Sequence, residues 1–277
     1  MVAVTVEALV DAPCPRVGLT VTGLGVGDSL VSVWRTADGE REPVRGARRT
    51  TLNDAAFLVD WDAPLGRPIT YEVEVISGPG GAARVTSGSV TVDSATGWLM
   101  DPLIPQTAVP VVGDATDETY LRSQALSELA YEADVSVFNI MGSNKPLALF
   151  GQRMAERGLD TSVSTRSAEQ NARLEKLLQS TAQLLFRPLP GWGTRTLRGS
   201  LFLANAAAVQ LPVDVSWGGN LTRWELKSDV VQAPTIKVLT ATFSYGDVQL
   251  LMDTYQQKQD LMAGKSYLDD LKNPIGG

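Results

Sequence analysis

Gly97-Trp98-Leu99-Met100-Asp101-Pro102-Leu103-Ile104-Pro105 divides the chain into two kinds of patterning. Before it lie seven short apolar-alternating segments, at 2–10, 17–21, 30–35, 42–46, 57–61, 69–76 and 85–92. After it come longer segments interrupted by two helical patterns. In Tyr71-Glu72-Val73-Glu74-Val75 every second residue is apolar, which is the period of a strand with one buried face. Gly25-Val26-Gly27-Asp28, Asp38-Gly39, Pro64-Leu65-Gly66 and Gly78-Pro79-Gly80-Gly81 supply the turns between segments.

Seven short strands within residues 1–94 suit a β-sandwich of immunoglobulin or fibronectin type III size, with Trp34, Trp61 and Tyr71 as its large core residues. Residues 95–118 carry Pro102, Pro105 and Pro110 and read as an extended linker. Its apolar anchors Trp98, Leu99 and Leu103 are candidates for docking on a neighbouring surface.

Beyond the linker, Leu129, Tyr131, Ala133, Val135 and Val137 alternate, predicting a half-buried strand. A turn at 142–146 leads into an apolar run at 147–150, and a second strand-like run covers 159–165. A helix is predicted over 168–181. Ser167 and Gln170 make its capping box, and Leu174, Leu177, Leu178 and Thr181 follow helical spacing. Glu169 suits the first turn and pairs with Arg173 four residues on. Further strands are expected at 184–187, 196–203, 222–231 and 236–243. With too few helices for repeated crossovers, residues 119–243 read as a mostly antiparallel barrel or sheet with one helix packed across it.

Residues 244–277 form a C-terminal helical segment whose helix starts at Ser244 or Asp247 and ends near Gly264. Val248, Leu251, Met252, Tyr255 and Met262 share one face, and Lys258 and Lys265 lie near the negative end. Leu250 and Leu261 widen the apolar surface, which makes them candidate interface residues between subunits.

A length of 277 residues suits two domains, and 44% apolar with 20% charged residues is ordinary globular composition. The net charge of −7 argues against nucleic-acid binding, which needs clustered cations. The one basic cluster, Arg41, Arg45, Arg48 and Arg49, reads as a solvated loop. No apolar run approaches the length of a membrane span, so no membrane insertion is expected. The N-terminus lacks the pattern of a secretory signal, and folding in the cytoplasm is the simplest expectation. Cys14 is the single cysteine and sits between Pro13 and Pro15, in a rigid extended setting.

The chain contains no histidine. That removes the commonest general base and the commonest metal ligand together, along with every Ser-His-Asp or Cys-His arrangement. Gly23-Leu24-Gly25-Val26-Gly27 precedes a strand pattern where dinucleotide binding needs a helix, so it is rejected. The surviving enzymatic option is a carboxylate pair: Asp60 and Asp62 flank Trp61 and would share a strand face. Asp114, Asp117 and Glu118 are candidate calcium ligands without EF-hand spacing. For both groups a solvated surface is the favoured reading, so the expectation is no catalytic residue, no cofactor and no metal.

The order of motifs carries a resemblance. The run from Trp98 to Pro105, with Val33-Trp34-Arg35-Thr36-Ala37-Asp38-Gly39 before it, resembles minor tail proteins of long-tailed phages of actinobacteria. So do Phe243-Ser244-Tyr245-Gly246-Asp247-Val248 and Tyr267-Leu268-Asp269-Asp270-Leu271 near the end. The middle, with Ile140-Met141-Gly142, Pro146, the capped helix and Leu184-Leu185-Phe186-Arg187, is similar to the distal-tail family. The resemblance departs from the usual distal-tail plan in that the sandwich-like domain comes first.

What the resemblance implies is a mainly β chain, a fibronectin III-like sandwich followed by a distal-tail or tube-like β-barrel. It would be a virion structural protein of the tail tip, assembled in the host cytoplasm. Its partners would be copies of itself in a ring, six-fold with three-fold as the alternative, and the tail tube and tip or hub proteins. The alternative function is a carbohydrate-binding or host-surface adhesion module. Trp34, Trp61 and Trp192 would then stack on host surface glycans.

Overall fold

The computed structural model describes residues 1–114, 119–128, 130–131, 133–141, 144–153, 157–193, 197–213, 221–235 and 254–264. Strands dominate these residues, with only two α-helices among them, so the chain is mainly β. It divides into two compact units, the first built on Met1–Ser94 and the second on Ala95–Asp101 with Thr107–Ala233.

In the first unit, β1 (Ala3–Leu9), β2 (Arg16–Thr22) and β6 (Ala56–Asp60) form a three-stranded sheet in the order β1-β2-β6. A second sheet has the order β4-β3-β7-β8, from β3 (Asp28–Ala37), β4 (Glu40–Pro43), β7 (Pro68–Ser77) and β8 (Ala83–Thr86). Two short strands join it, β5 (Thr50–Asn53) on β3 and β9 (Val90–Thr91) on β7. All these pairings are antiparallel. Alternation decides the buried face: Ile69, Tyr71, Val73 and Val75 of β7 are buried, and the acids Glu72 and Glu74 between them are not. Val17, Leu19 and Val21 of β2 are buried likewise.

Trp34 departs from the expectation of a core residue. Val31, Val33 and Arg35 take the buried positions of β3, so Trp34 falls on the opposite face, half-buried. Segment 42–46 contributes only Pro43 and its predecessors to β4, because the chain turns at Val44, whose carbonyl accepts from the Ala47 N–H at 3.0 Å.

The second unit contains the larger sheet. Its members are β10 (Gly97–Met100), β11 (Val109–Val111), β12 (Tyr120–Leu121), β15 (Leu159–Asp160), β16 (Val163–Thr165), β17 (Gln183–Arg187), β18 (Leu201–Pro212) and β19 (Thr222–Val231). They run in the order β11-β10-β17-β18-β19-β16-β12, with β15 also on β19. The sheet curls into a half-barrel. Val112 and Tyr120 form a parallel bridge, and the N–H groups of Val112 and Leu121 donate to Thr119 and Val112 carbonyls at 2.9 Å.

The stretch expected as an extended linker therefore contributes two strands. β10 pairs with β17, Leu99 opposite Phe186, and both residues are buried. Pro110 lies on β11, at the end of the strand order, where a residue without an N–H costs least. The expected single strand at 159–165 is broken in two. Between its halves, Thr161 donates its hydroxyl to the Leu226 carbonyl and the Ser162 hydroxyl accepts from the Leu226 N–H at 3.0 Å.

Helix α1 (Ala168–Ser180) buries Leu174 and Leu177 in the core formed with Leu99, Val163, Phe186 and Leu203. Ser167 Oγ accepts the Gln170 N–H at 3.1 Å, as its capping role requires. The other arm lands one residue early: Gln170 Oε1 accepts from the N–H of Arg166, not of Ser167. Glu169 and Arg173 approach to 3.5 Å on the exposed face. Asn171 Oδ1 accepts the indole N–H of Trp224 at 2.9 Å, tying α1 to β19.

Of the C-terminal segment the structure describes α2 (Tyr255–Leu261), which starts at a complete capping box between Thr254 and Gln257. The strand expected at 236–243, the helix start at Ser244 or Asp247, and Leu250 lie outside the described residues.

Candidate assembly surface

Strands β13 (Ala133–Phe138) and β14 (Leu147–Arg153) form a two-stranded antiparallel hairpin, which pairs with no other described strand. Cross-strand partners share a face, so Val135 stands with Phe150 on one side and Phe138 with Leu147 on the other. Val137 joins the first pair and Leu149 the second. All six are exposed, Val137 by 61% and Phe150 by 78%, and Ile140 and Met141 at the turn are exposed as well. The half-buried strand expected from the alternation at 129–137 is therefore exposed on both faces. Alternation describes one strand, and its partner β14 carries an unbroken Leu147-Ala148-Leu149-Phe150 run that puts apolar groups on both sides.

An isolated two-stranded hairpin is at best marginally stable in water, and this one exposes mainly apolar groups. Between Val135 and Gln152 the only charged residue is Lys145, in the turn. The arrangement therefore fits association: its unpaired strand edges and two apolar faces are the groups that gain from being covered. Where the hairpin leaves the sheet, Glu128, Ala130, Arg157, Gly158 and Asp229 line an open hollow of about 440 Å³. The Gly158 N–H donates to Asp229 Oδ1 there at 2.9 Å.

The docking anchors that the structure describes are buried or half-buried. Leu99 is buried in its own core, Trp98 is half-buried on β10, and Leu103 is half-buried in the segment Pro102–Gln106, which groups with the first unit. Leu261 ends α2, and its side chain, like Leu250, lies outside what the structure describes. The hairpin side chains were not among these anchors. The signal for them was present in the apolar run at 147–150 together with the alternation before it.

Each of the three candidate stacking rings is engaged internally. Trp61 is 5% exposed, with the Arg16 guanidinium 5.0 Å from its centroid. Trp34 is covered by Arg41 at 3.9 Å and donates its indole N–H to Glu74. Trp192 packs against the second unit's core, so close to Gly97 that a Cβ there would stand 2.7 Å from Cζ3. A sugar ring needs a bare aromatic face, and Trp61 offers none.

The carboxylates also depart from the solvated reading. Asp60 and Asp62 are buried. Asp60 accepts from Arg35 Nη1 and, at 2.9 Å, from the Tyr71 hydroxyl. Asp62 binds Arg45 in a two-pronged pair at 2.8 and 2.7 Å, and its N–H donates to Asp60. Burial opposes the Arg35 charge, but the carboxylates of Asp60, Asp62 and Glu42 more than offset it and raise its pKa. Both acids are thus buried and tied into the fold by their arginine partners. The Arg41–Arg49 cluster is dispersed in the same way, Arg45 onto Asp62 and Arg41 onto Trp34 and Glu72. Of the candidate calcium ligands, Asp114 is exposed and Asp117 and Glu118 lie outside the described residues.

No protein-family model, curated protein or solved structure matches the chain.

Among the described residues no helix is long and apolar enough to cross a membrane. Among the described residues, the hairpin carries the densest group of exposed large apolar side chains.

Proposed function

We propose that this chain is a structural subunit of a phage tail tip. In this reading it forms a homo-oligomeric ring that joins the tail tube to tip or hub proteins in the virion. The observation that carries the reading is the hairpin of β13 and β14, with Val135, Val137 and Phe150 exposed on one face and Phe138, Leu147 and Leu149 on the other. Covering such a surface by copies of the same chain is what a ring does. The mechanism is complementary subunit surfaces, with no bond made or broken.

The finer fold belongs to the same proposal. The sheet orders β1-β2-β6 and β4-β3-β7-β8 support a fibronectin III-like sandwich for the first unit. The curled antiparallel sheet with α1 packed on it supports a tube-like barrel for the second. A ring of six copies is expected, with three as the alternative.

The test is the oligomeric state of the purified chain by mass photometry across concentration, with negative-stain imaging. Closed rings are the expected result. A strict monomer at the highest attainable concentration sinks the reading.

A further inference from the structure

We infer that the hairpin of one copy adds to the outer edge of β18 in the next copy, over residues 206–212. The inference rests on the homo-oligomeric reading above and names the surface that receives the hairpin.

β18 is longer than the strand beside it. β17 pairs with residues 201–204, and the Asn205 N–H reaches the Ala182 carbonyl. From 206 to 212 β18 pairs only with β19 among the described residues. A register shift between Asn205 and Ala208 marks where this second half begins. Among the described residues its other edge has no strand partner and presents backbone donors and acceptors, with Val209 and Leu211 exposed beside it.

Natural proteins protect free strand edges with charges, inward-pointing lysines or early prolines. The stretch Asn205-Ala206-Ala207-Ala208-Val209-Gln210-Leu211-Pro212 carries no charge, and its proline comes only at the end. The hairpin strands carry charge only near their outer ends, at Asp134 and Arg153. β14 has seven residues, the length of the unpaired stretch of β18.

The six exposed apolar residues of the hairpin strands are split between two faces, and each face presents roughly 300–400 Å², the size of the largest apolar patch on a typical monomer, which is often a functional one. Pairing hairpin with hairpin would leave the β18 edge and Val209 and Leu211 uncovered, whereas hairpin on β18 satisfies both edges in one contact. Donor and acceptor are different surfaces of the same unit, so the contact is head-to-tail and repeats until it closes on itself.

Two variants of the full chain test this. One carries Leu149→Asp and Phe150→Asp, which disables the hairpin. The other carries Val209→Lys and Leu211→Lys, which disables the β18 edge. Each alone is expected to lose assembly at concentrations where the unaltered chain assembles. An equimolar mixture is expected to give one-to-one dimers and nothing larger, because one intact hairpin and one intact edge remain. All four positions are exposed, so circular dichroism and melting should match the unaltered chain; Val209→Lys alone replaces the double variant if β18 is disturbed. If the β18 variant assembles normally while the hairpin variant does not, the hairpin docks elsewhere. The inference then fails and the ring reading stands. A mixture that stays monomeric overturns the head-to-tail contact, and an unaltered chain that never assembles overturns both.

Discussion

Arg35 and Asp60 meet in the interior of the first unit, the guanidinium Nη1 lying 3.2 and 3.0 Å from the two carboxylate oxygens. Arg35 belongs to β3 in one sheet and Asp60 ends β6 in the other, so the pair crosses between sheets. The side chains are 6% and 1% exposed. The Tyr71 hydroxyl supplies a further bond to the same carboxylate. Removing one partner of such a pair strands the other charge in a place without water, which costs far more than the pair's net contribution.

Asp60→Ala should therefore destabilise the first unit by about 3–5 kcal/mol, the range for breaking a buried ion pair. Tyr71→Phe should cost only ~1 kcal/mol, the worth of one hydrogen bond. Urea unfolding of the two variants checks the ranking. Because Arg35 has its folded pKa raised above the unfolded value, its contribution is complete below the unfolded pKa. It fades only as pH rises through the raised one, so Arg35 adds no pH dependence at neutral or mildly alkaline pH.

Glu74 gives the opposite sign. Hydrogen bonds from Arg84 and then from Trp34 lower the pKa of its exposed carboxylate. Its interactions are thus present above the unfolded pKa and are lost as pH falls through the lowered one. An acid titration of Trp34 fluorescence, with Glu74→Gln as reference, should show a transition below the usual carboxylate range that the variant lacks. A transition at the ordinary glutamate position would show that the indole bond does not hold in solution.

Gly97→Ala should destabilise the second unit by about 1–3 kcal/mol, the cost of overpacking. The added Cβ would meet Trp192 Cζ3 at 2.7 Å and the Arg187 carbonyl oxygen at 3.0 Å. The ring can be trimmed and the carbonyl cannot. Trp192→Leu in the same chain should recover part of the loss, so a thermal-melting double-mutant cycle must show coupling.

Asn171→Ala leaves the Trp224 indole N–H without its acceptor on α1. A loss of about 1–3 kcal/mol is expected, the penalty for an unsatisfied buried donor. Trp224→Phe in the Asn171→Ala background should cost less than in the parent chain. Equal costs in both backgrounds would remove the hydrogen bond from the account of how α1 is held.

Local chemistry was legible where one short stretch contains its own reason. The strand at 222–231 alternates and is observed with those limits. Helix α1 follows from the Ser167 cap and the Leu174 and Leu177 spacing. The absence of histidine limits the chemistry whatever the fold. The strand character of the hairpin was likewise written into 133–137 and 147–150.

Partners distant in sequence were not legible. Leu99 looked like an external anchor until β10 paired with β17, eighty-odd residues on, and drew it into the core. Asp60 and Asp62 looked like surface acids because nothing near them in sequence announces Arg35 and Arg45. The hairpin looked half-buried because alternation reports only that one side of a strand differs from the other. By itself, then, the sequence determined the strands with a clear alternation, such as 222–231, the capped helix and the lack of histidine chemistry, since those follow from propensity, periodicity and composition. Tertiary structure alone decided which apolar residues are covered and which charges are neutralised, because burial depends on what the rest of the chain places within a few ångströms.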